Sequence, residues 1–222
     1  DLAGPPDGLA LDVGTGGGAT AHALARAGWS VLPLDLTVPM LQAARQALRE
    51  QTPQRLRGVV QGDAEALPLR EGSVALVTAR NTAHHFPQPL RFLEQAARVL
   101  RPGGRLLIVD LVGHERPDFD AHLQAWERRR DPSHAASIPI SRWQSLFREA
   151  GLVPLETHHH RYRHDFAPWT ERQRMPAAAR DALARDMREA PQPIRDYFEI
   201  RVDADSVASF TTDVAIMLAV RP

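Results

Sequence analysis

A strand-like run, Leu9 to Val13, leads directly into the cluster Gly14-Thr15-Gly16-Gly17-Gly18, and an Ala-rich stretch of helical composition follows. Glycines after a buried strand let the backbone turn sharply and approach a ligand, while the N-terminus of the next helix faces that ligand. This arrangement is typical of a parallel sheet with crossover helices, and it predicts a nucleotide-type binding site at the end of the first strand.

The rest of the chain continues the alternation of strands and helices. The predicted strands are 9–13, 29–34, 55–61, 74–79, 105–110, 152–163 and 210–220. The pattern indicates an α/β fold built as one domain, 1–222. We expect a polar lid or crossover segment over 111–140 and a helical insertion over 164–205, which Pro176, Pro191 and Pro193 interrupt.

Composition excludes several kinds of chemistry. The 222 residues contain 27 basic and 27 acidic side chains, with no Cys, and every basic residue is Arg. A chain without Cys has no cysteine nucleophile, thiolate zinc site or iron–sulfur cluster. A chain without Lys has no phosphate-loop lysine and no Schiff base to pyridoxal phosphate. The balanced charge argues against a nucleic-acid partner, and with no secretory signal and no apolar run long enough to cross a bilayer we expect a cytoplasmic protein.

Acidic residues follow the strands at regular places. Asp35 ends the second strand, where its carboxylate can accept hydrogen bonds from ribose hydroxyls. Asp12 lies two residues before the first glycine, and Asp63-Ala64 follows the third strand, although an Asp at such a position is also a common turn or cap residue. Since Gly14-x-Gly16-x-x-Ala19 also satisfies the dinucleotide fingerprint, an NAD(P)-dependent Rossmann oxidoreductase stays an alternative.

Taken in order, these motifs resemble one family. Asp12-Val-Gly14-Thr-Gly16-Gly-Gly18, Asp35, Asp63-Ala64 and Val99-Leu-Arg-Pro-Gly-Gly104 are similar to the motifs of class I S-adenosylmethionine-dependent methyltransferases. The similarity is greatest to the small-molecule group that includes the ubiquinone and menaquinone biosynthesis methyltransferases. It implies a Rossmann-like, seven-stranded sheet of order 3-2-1-4-5-7-6 with the last strand antiparallel.

The resemblance also implies roles for individual residues. Gly14, Gly16 and Gly18 would let S-adenosylmethionine lie against the backbone, Asp12 would orient its amino-acid end, and Asp35 would bind its ribose. Asp63 and Ala64 would meet the adenine, and Arg80 would lie beside the sulfonium, with Asn81 toward the substrate. S-adenosylhomocysteine would be the second product. Few residues precede the first strand, so if the native chain is longer, its N-terminal part is expected to supply part of the cover over this site.

The segment after the fourth strand indicates the kind of acceptor. Enzymes that methylate the exocyclic amines of DNA bases usually carry an Asn/Asp-Pro-Pro-aromatic motif there, whereas this chain has Arg80-Asn-Thr-Ala-His84-His85-Phe. A small-molecule methyl acceptor fits better. His85, and secondarily His84, are candidate general bases, because the ordinary pKa of histidine suits proton removal near neutral pH. A purely structural role for both histidines is the equal alternative.

Other residues allow two interpretations each. His134, beside Arg130 and Asp131, either contacts an acidic or phenolic substrate or belongs to a solvated turn. Arg128 to Arg130 either bind phosphate or form a solvated helix face. Trp126, Trp143 and Trp169 either line an acceptor pocket or pack in the core.

A histidine-rich segment in the C-terminal half could bind a metal or contact a partner protein. His158, His159, His160 and His164 are better explained as an edge strand than as metal ligands, because neighbouring side chains on a strand point to opposite faces. We therefore predict no metal, and the histidine-rich edge could serve a homodimer contact. A non-catalytic protein that senses S-adenosylmethionine would use the same binding residues and is the third functional hypothesis.

Overall fold

The computed structural model describes residues 2–203 and 206–222, in which strands and helices alternate. The strands are β1 (Leu9–Val13), β2 (Ser30–Asp35), β3 (Val60–Gln61), β4 (Val74–Arg80), β5 (Leu100–Leu111), β6 (Val153–Asp165), β7 (Arg201–Asp203) and β8 (Ser206–Val220). The helices are α1 (Ala19–Arg26), α2 (Val38–Gln51), α3 (Pro89–Val99), α4 (Pro117–Arg130), α5 (Ile140–Glu149), α6 (Phe166–Glu171), α7 (Ala177–Glu189) and α8 (Gln192–Tyr197). Two short 3₁₀ turns lie at Ala64–Ala66 and Ala83–His85.

The strands form a single sheet of order β3-β2-β1-β4-β5-β8-β6. The first five strands pair in parallel with their neighbours, as strands joined by crossover helices do. The predicted fold class and sheet order are confirmed. One element is additional, because β7 pairs with β8 in antiparallel fashion. This strand has three exposed residues and so lacks the apolar pattern by which strands are recognised.

The predicted third strand, 55–61, is too long. Only Val60–Gln61 pairs with β2 as a strand, and Leu56 makes an isolated bridge to Val31. The reason is Gly58, whose φ of +131° takes the backbone out of the extended conformation between these two pairings. The third strand is therefore paired with β2 only over Val60–Gln61, just before Asp63.

The chain divides into two compact units. The first comprises the residues up to Asp110 together with 142–158 and 216–222, and the second comprises 111–141 and 159–215. The predicted lid, 111–140, and the described part of the predicted insertion, 164–205, lie in the second unit, while residues 204 and 205 are outside the described residues. Helices α7 and α8 begin directly after Pro176 and Pro191, where the missing N–H of proline costs nothing.

Each unit has an apolar core of its own. In the first unit, β1 lies between β2 and β4 and is buried from Ala10 to Val13, which explains its nearly continuous apolar sequence. In the second unit, Trp126, Trp169 and Phe198 pack with the buried face of α7. Trp126 and Trp169 are thus core residues, and Trp143 is also buried, within the first unit. Among the described residues, no helix is both long and apolar enough to cross a membrane.

Candidate functional site

The buried side chain of Asp12 holds the glycine-rich turn in place by hydrogen bonds. Its Oδ2 accepts hydrogen bonds from the Thr15 hydroxyl at 2.6 Å and from the Ala21 N–H at 3.1 Å. Its Oδ1 accepts one from the Thr78 hydroxyl on β4 at 2.8 Å. Burial raises the pKa of Asp12 above its ordinary value of 3.8, although these hydrogen bonds oppose the rise. The side chain therefore ties the turn, the first helix and the neighbouring strand together.

The glycines of this turn serve two different purposes. A Cβ added at Gly14 would lie 2.0 Å from Oγ1 of Thr82, and one at Gly18 would lie 2.9 Å from the Cα of Ala44. At Gly16 and Gly17 an added Cβ would meet no atom within 4 Å. Gly14 and Gly18 are thus required by close packing within the protein, whereas Gly16 and Gly17 leave one face of the turn open to a ligand.

Asp35 joins the end of β2 to the same turn. Its Oδ2 accepts the Gly16 N–H at 2.9 Å, and its Oδ1 accepts both the N–H and the hydroxyl of Thr37 at 2.9 Å. The next residue, Leu36, is 67% exposed. A polar group and an apolar surface therefore lie next to each other at the carboxyl end of β2.

Asp63 and Ala64 occupy the third corner of the site. The Asp63 carboxylate caps the 3₁₀ turn by accepting the Glu65 N–H at 2.8 Å, while Ala64 is buried. The Gly62 N–H donates to the backbone oxygen of Asp35 at 3.1 Å, so this corner is connected to β2. The capping role expected of an isolated Asp is present, and it is compatible with ligand contact because the residue is exposed.

Arg80 is the last residue of β4 and Asn81 follows it, next to the glycine turn. The Arg80 Nε–H donates to the Thr20 hydroxyl at the start of α1, at 2.8 Å. Asn81 has a φ of +52°, in the left-handed region that only a few per cent of non-glycine residues adopt. Its N–H donates to the Val109 carbonyl at 2.8 Å, which fixes this backbone conformation at the end of the strand.

The two candidate bases have different surroundings. Nδ1 of His84 lies 2.6 Å from Oδ1 of Asp110, whose side chain is 1% exposed. The ring of His85 packs on that of His84 with a centroid distance of 4.1 Å. Sequence reasoning preferred His85, but the structure gives His84 the buried carboxylate partner. Asp110 was missed because it is 26 residues away in the chain, and only the parallel pairing of β4 with β5 brings it here.

His134 belongs to the second unit, where it is buried. Its Nε2 lies 3.0 Å from Oε1 of Gln124, and the same oxygen accepts the Ser137 N–H at 3.1 Å. Gln124 in turn donates to the Ser137 carbonyl at 2.6 Å. This network holds the segment after α4, so it favours a supporting role for His134, and substrate contact stays a prediction.

The three arginines at the end of α4 each contact a carboxylate or a backbone carbonyl of the protein. Arg128 donates to the Ala135 carbonyl, Arg129 pairs with Asp186 at 3.2 Å, and Arg130 pairs with Glu127 at 3.0 Å. These contacts favour a structural role over phosphate binding.

The histidine-rich sequence lies on β6 at the edge of the sheet. His158 contacts Glu156, His159 contacts Asp213, and His164 contacts the Thr212 hydroxyl. In the described part of the chain, no group of three or more histidine and carboxylate side chains is placed to bind a metal.

Comparison with known proteins agrees with this geometry. Residues 11–108, which span the glycine turn to β5, match a family described as a methyltransferase domain. The uncharacterized methyltransferase YcgJ of Bacillus subtilis is 31% identical over 193 residues, covering 87% of this chain and 76% of that protein. The chain belongs to the methyltransferase family.

The relationship extends over the whole fold. The crystal structure of the candidate methyltransferase BH2331 from Bacillus halodurans superposes with a TM-score of 0.94 at 34% identity, covering 98% of this chain and 94% of that one. A demethylmenaquinone methyltransferase from Lactococcus lactis is 28% identical over 148 residues, covering 59% of this chain and 58% of that protein.

These findings confirm the class I S-adenosylmethionine-dependent methyltransferase family that the sequence motifs indicated. They favour it over the nicotinamide oxidoreductase. The residues predicted for the cofactor all lie in the first unit, at the carboxyl ends of β1, β2, β3 and β4. Leu36 and Asp110 are additions that the structure supplies. The sequence signal that could have identified the first of them is its position directly after Asp35.

Proposed function

We propose that this methyltransferase binds S-adenosylmethionine at the carboxyl edge of its first unit and transfers the methyl group to a small-molecule acceptor. The observation that supports this most directly is the open face at Gly16 and Gly17, bordered by Asp35. Parallel sheets bind ligands outside the carboxyl ends of their strands, which is where these residues lie.

The residues present fit the chemistry of the cofactor. Asp35 supplies carboxylate oxygens for ribose hydroxyls, and the exposed side chain of Leu36 supplies an apolar surface for a purine ring. Asp63 and Ala64 provide an acceptor and a backbone N–H at the adjoining corner. We propose that Asp12 acts by holding the turn, because its three hydrogen bonds go to Thr15, Ala21 and Thr78.

The cofactor supplies an electrophilic methyl group on a sulfonium. The protein's part in such a transfer is to align donor and acceptor and to exclude water. Arg80 and Asn81 leave β4 beside the glycine turn, so we propose that they lie at the reacting end of the cofactor, with Arg80 toward the cofactor and Asn81 toward the acceptor.

A small-molecule acceptor is supported by the relative that acts on demethylmenaquinone, whose name states its substrate. The cytoplasmic location, the homodimer and the absence of a nucleic-acid partner stay predictions from the sequence.

Isothermal titration with S-adenosylhomocysteine tests the binding site. We expect micromolar binding that Asp35→Ala weakens at least tenfold, because the variant loses both the ribose acceptor and the contact to Gly16. Asp7→Ala is the matched control, since Asp7 is exposed and makes an exposed ion pair with Arg101. No heat of binding with the intact chain, or equal affinities for all three proteins, would contradict the proposed site. Binding of NADH in the same titration would favour the oxidoreductase alternative. Binding of S-adenosylhomocysteine without methyl transfer to any member of a broad acceptor panel would favour the non-catalytic sensor.

A further inference from the structure

A histidine and a carboxylate reach the same edge of the sheet from neighbouring strands. β4 and β5 pair in parallel with Arg80 opposite Val109, so the segment that carries His84 begins beside Asp110, the second-last residue of β5. Nδ1 of His84 lies 2.6 Å from Oδ1 of Asp110. The pair is therefore built into the fold of the first unit.

The two oxygens of Asp110 do different things. Oδ2 accepts the backbone N–H groups of Thr82, Ala83 and His84 at 3.1, 2.6 and 3.2 Å. These three contacts cap the 3₁₀ turn at Ala83–His85. Oδ1 is directed at the imidazole ring instead. Because a carboxylate only accepts hydrogen bonds, Nδ1 of His84 must donate, which leaves the lone pair of the neutral ring on Nε2.

This histidine also lies close to the proposed cofactor site. Thr82 packs against Gly14, where its Oγ1 is 2.0 Å from the position of an added Cβ. Arg80, four residues before His84, contacts Thr20 at the start of α1. The loop that carries His84 is thus packed on the turn that we assign to the cofactor, and every contact in this argument lies within the first unit.

We propose that His84 removes the proton from a hydroxyl group of the acceptor, that Asp110 positions its ring for that task, and that the methyl group is transferred to the same oxygen, as in an O-methyltransferase. This inference rests on the proposed function of the site. A hydroxyl donates a hydrogen bond to Nε2 before it reacts, so the same contact binds the acceptor and prepares its deprotonation. A tertiary amine has no proton to lose, so this base would serve no purpose there. A ring carbon beside a phenol becomes nucleophilic through the same loss of the hydroxyl proton, so the atom that carries the new methyl group decides between oxygen and carbon.

The step balances without a further reactant. The hydroxyl proton passes to Nε2 of His84 as the oxygen–carbon bond to the methyl group forms. The carbon–sulfur bond breaks, and its electron pair stays on sulfur as the neutral thioether. The imidazolium then returns its proton to water.

The role of Asp110 can be tested without an acceptor. In Asp110→Asn, the amide oxygen can still accept the three backbone N–H groups, while the amide NH₂ faces His84 and donates to Nδ1. The proton of the neutral ring is then forced onto Nε2. We expect long-range ¹⁵N–¹H correlation spectra to show a pyridine-type Nε2 of His84 in the parent protein and a pyridine-type Nδ1 in Asp110→Asn. A structural cap alone would not require this exchange, so an unchanged tautomer in the variant, or a pyridine-type Nδ1 in the parent, would overturn the positioning role.

The substrate class is tested with three probes: 3,4-dihydroxybenzoic acid, 1,4-dihydroxy-2-naphthoic acid and N,N-dimethylglycine. We expect mass spectrometry and NMR to locate the new methyl group on oxygen. Asp110→Asn and His84→Ala should each lower kcat by about 10²-fold or more, with unchanged affinity for S-adenosylhomocysteine. Asp7→Asn, at an exposed position, is the matched control and should leave kcat unchanged.

Each outcome separates this inference from the proposed function. If the parent protein does not bind S-adenosylhomocysteine, the proposed function is contradicted. The tautomer measurement still tests the pairing of His84 with Asp110 in that case. Transfer only to the amine or to a ring carbon, or no transfer to any hydroxyl probe by a protein that binds S-adenosylhomocysteine, overturns the O-methyltransferase assignment. Unchanged turnover of a hydroxyl probe in Asp110→Asn overturns the role of the pair.

Discussion

The glycine turn allows packing and ligand access to be separated by substitution. In Gly14→Ala the new Cβ would lie 2.0 Å from Oγ1 and 2.7 Å from Cβ of Thr82, so one of the two segments must move. Overpacking of this kind costs about 1–3 kcal/mol, and placing alanine at a φ of +62° adds about 1–2 kcal/mol. We therefore expect the free energy of unfolding to fall by about 2–5 kcal/mol.

Two neighbouring glycines provide the matched comparison. Gly16 has a φ of +53° but an open Cβ position, so Gly16→Ala should lose only the backbone contribution of about 1–2 kcal/mol. Gly17 has an open Cβ position and no positive φ, so Gly17→Ala should be as stable as the parent or more stable by up to about 1 kcal/mol. Both substitutions should nevertheless weaken S-adenosylhomocysteine binding, because their methyl groups occupy the face assigned to the ligand.

Urea denaturation of the three variants, with titration of S-adenosylhomocysteine, measures both effects. Adding Thr82→Gly to Gly14→Ala should recover about 1–3 kcal/mol relative to the sum of the single changes, because it removes the atoms that clash. The reasoning is refuted if Gly14→Ala is as stable as Gly17→Ala, or if the double variant is simply additive. Unchanged ligand affinity in Gly17→Ala would refute the placement of the cofactor.

Three further changes have outcomes that follow from burial and exposure. Burial raises the pKa of Asp12, so the folded state binds its proton more tightly than the unfolded chain does. The parent should therefore gain stability relative to Asp12→Asn as the pH falls toward the folded-state pKa. Urea denaturation from pH 7 to 4 measures this difference. Burial lowers the pKa of His164 from 6.5 to about 4, so the unfolded chain takes up the proton first. The parent should therefore lose up to about 3 kcal/mol relative to His164→Gln between pH 6.5 and 4, and parallel stability curves would disprove this. Leu36→Ser should weaken S-adenosylhomocysteine binding severalfold without loss of stability, whereas Leu155→Ser, at a similarly exposed leucine, should not change binding.

The local motifs were sufficient to recognise the family, and the resemblance to that family implied the order of the sheet. Strand-forming runs separated by helical stretches predicted, on their own, only a parallel sheet with crossover helices. The glycines of the turn and Asp35 could also be recognised, because their positions are defined relative to the ends of single strands. Such features depend on residues that are near one another in the chain.

Other features depend on residues that are distant in the chain and meet only in the folded protein. Asp110 lies 26 residues from His84, and the pairing of β4 with β5 creates their contact. Thr82 explains why residue 14 must be glycine, yet 68 positions separate the two in the sequence.

Burial, too, was decided by tertiary structure. His134 and Arg128 to Arg130 are polar residues in a polar stretch, and sequence alone could not distinguish solvent exposure from internal hydrogen bonding. In the fold, Gln124 binds His134, and the arginines meet carboxylates or carbonyls of the second unit. Sequence determined which chemistry the chain can carry, because residue types and strand ends are local. Only the tertiary structure decided which side chains contact one another, because distance in space is not distance along the chain.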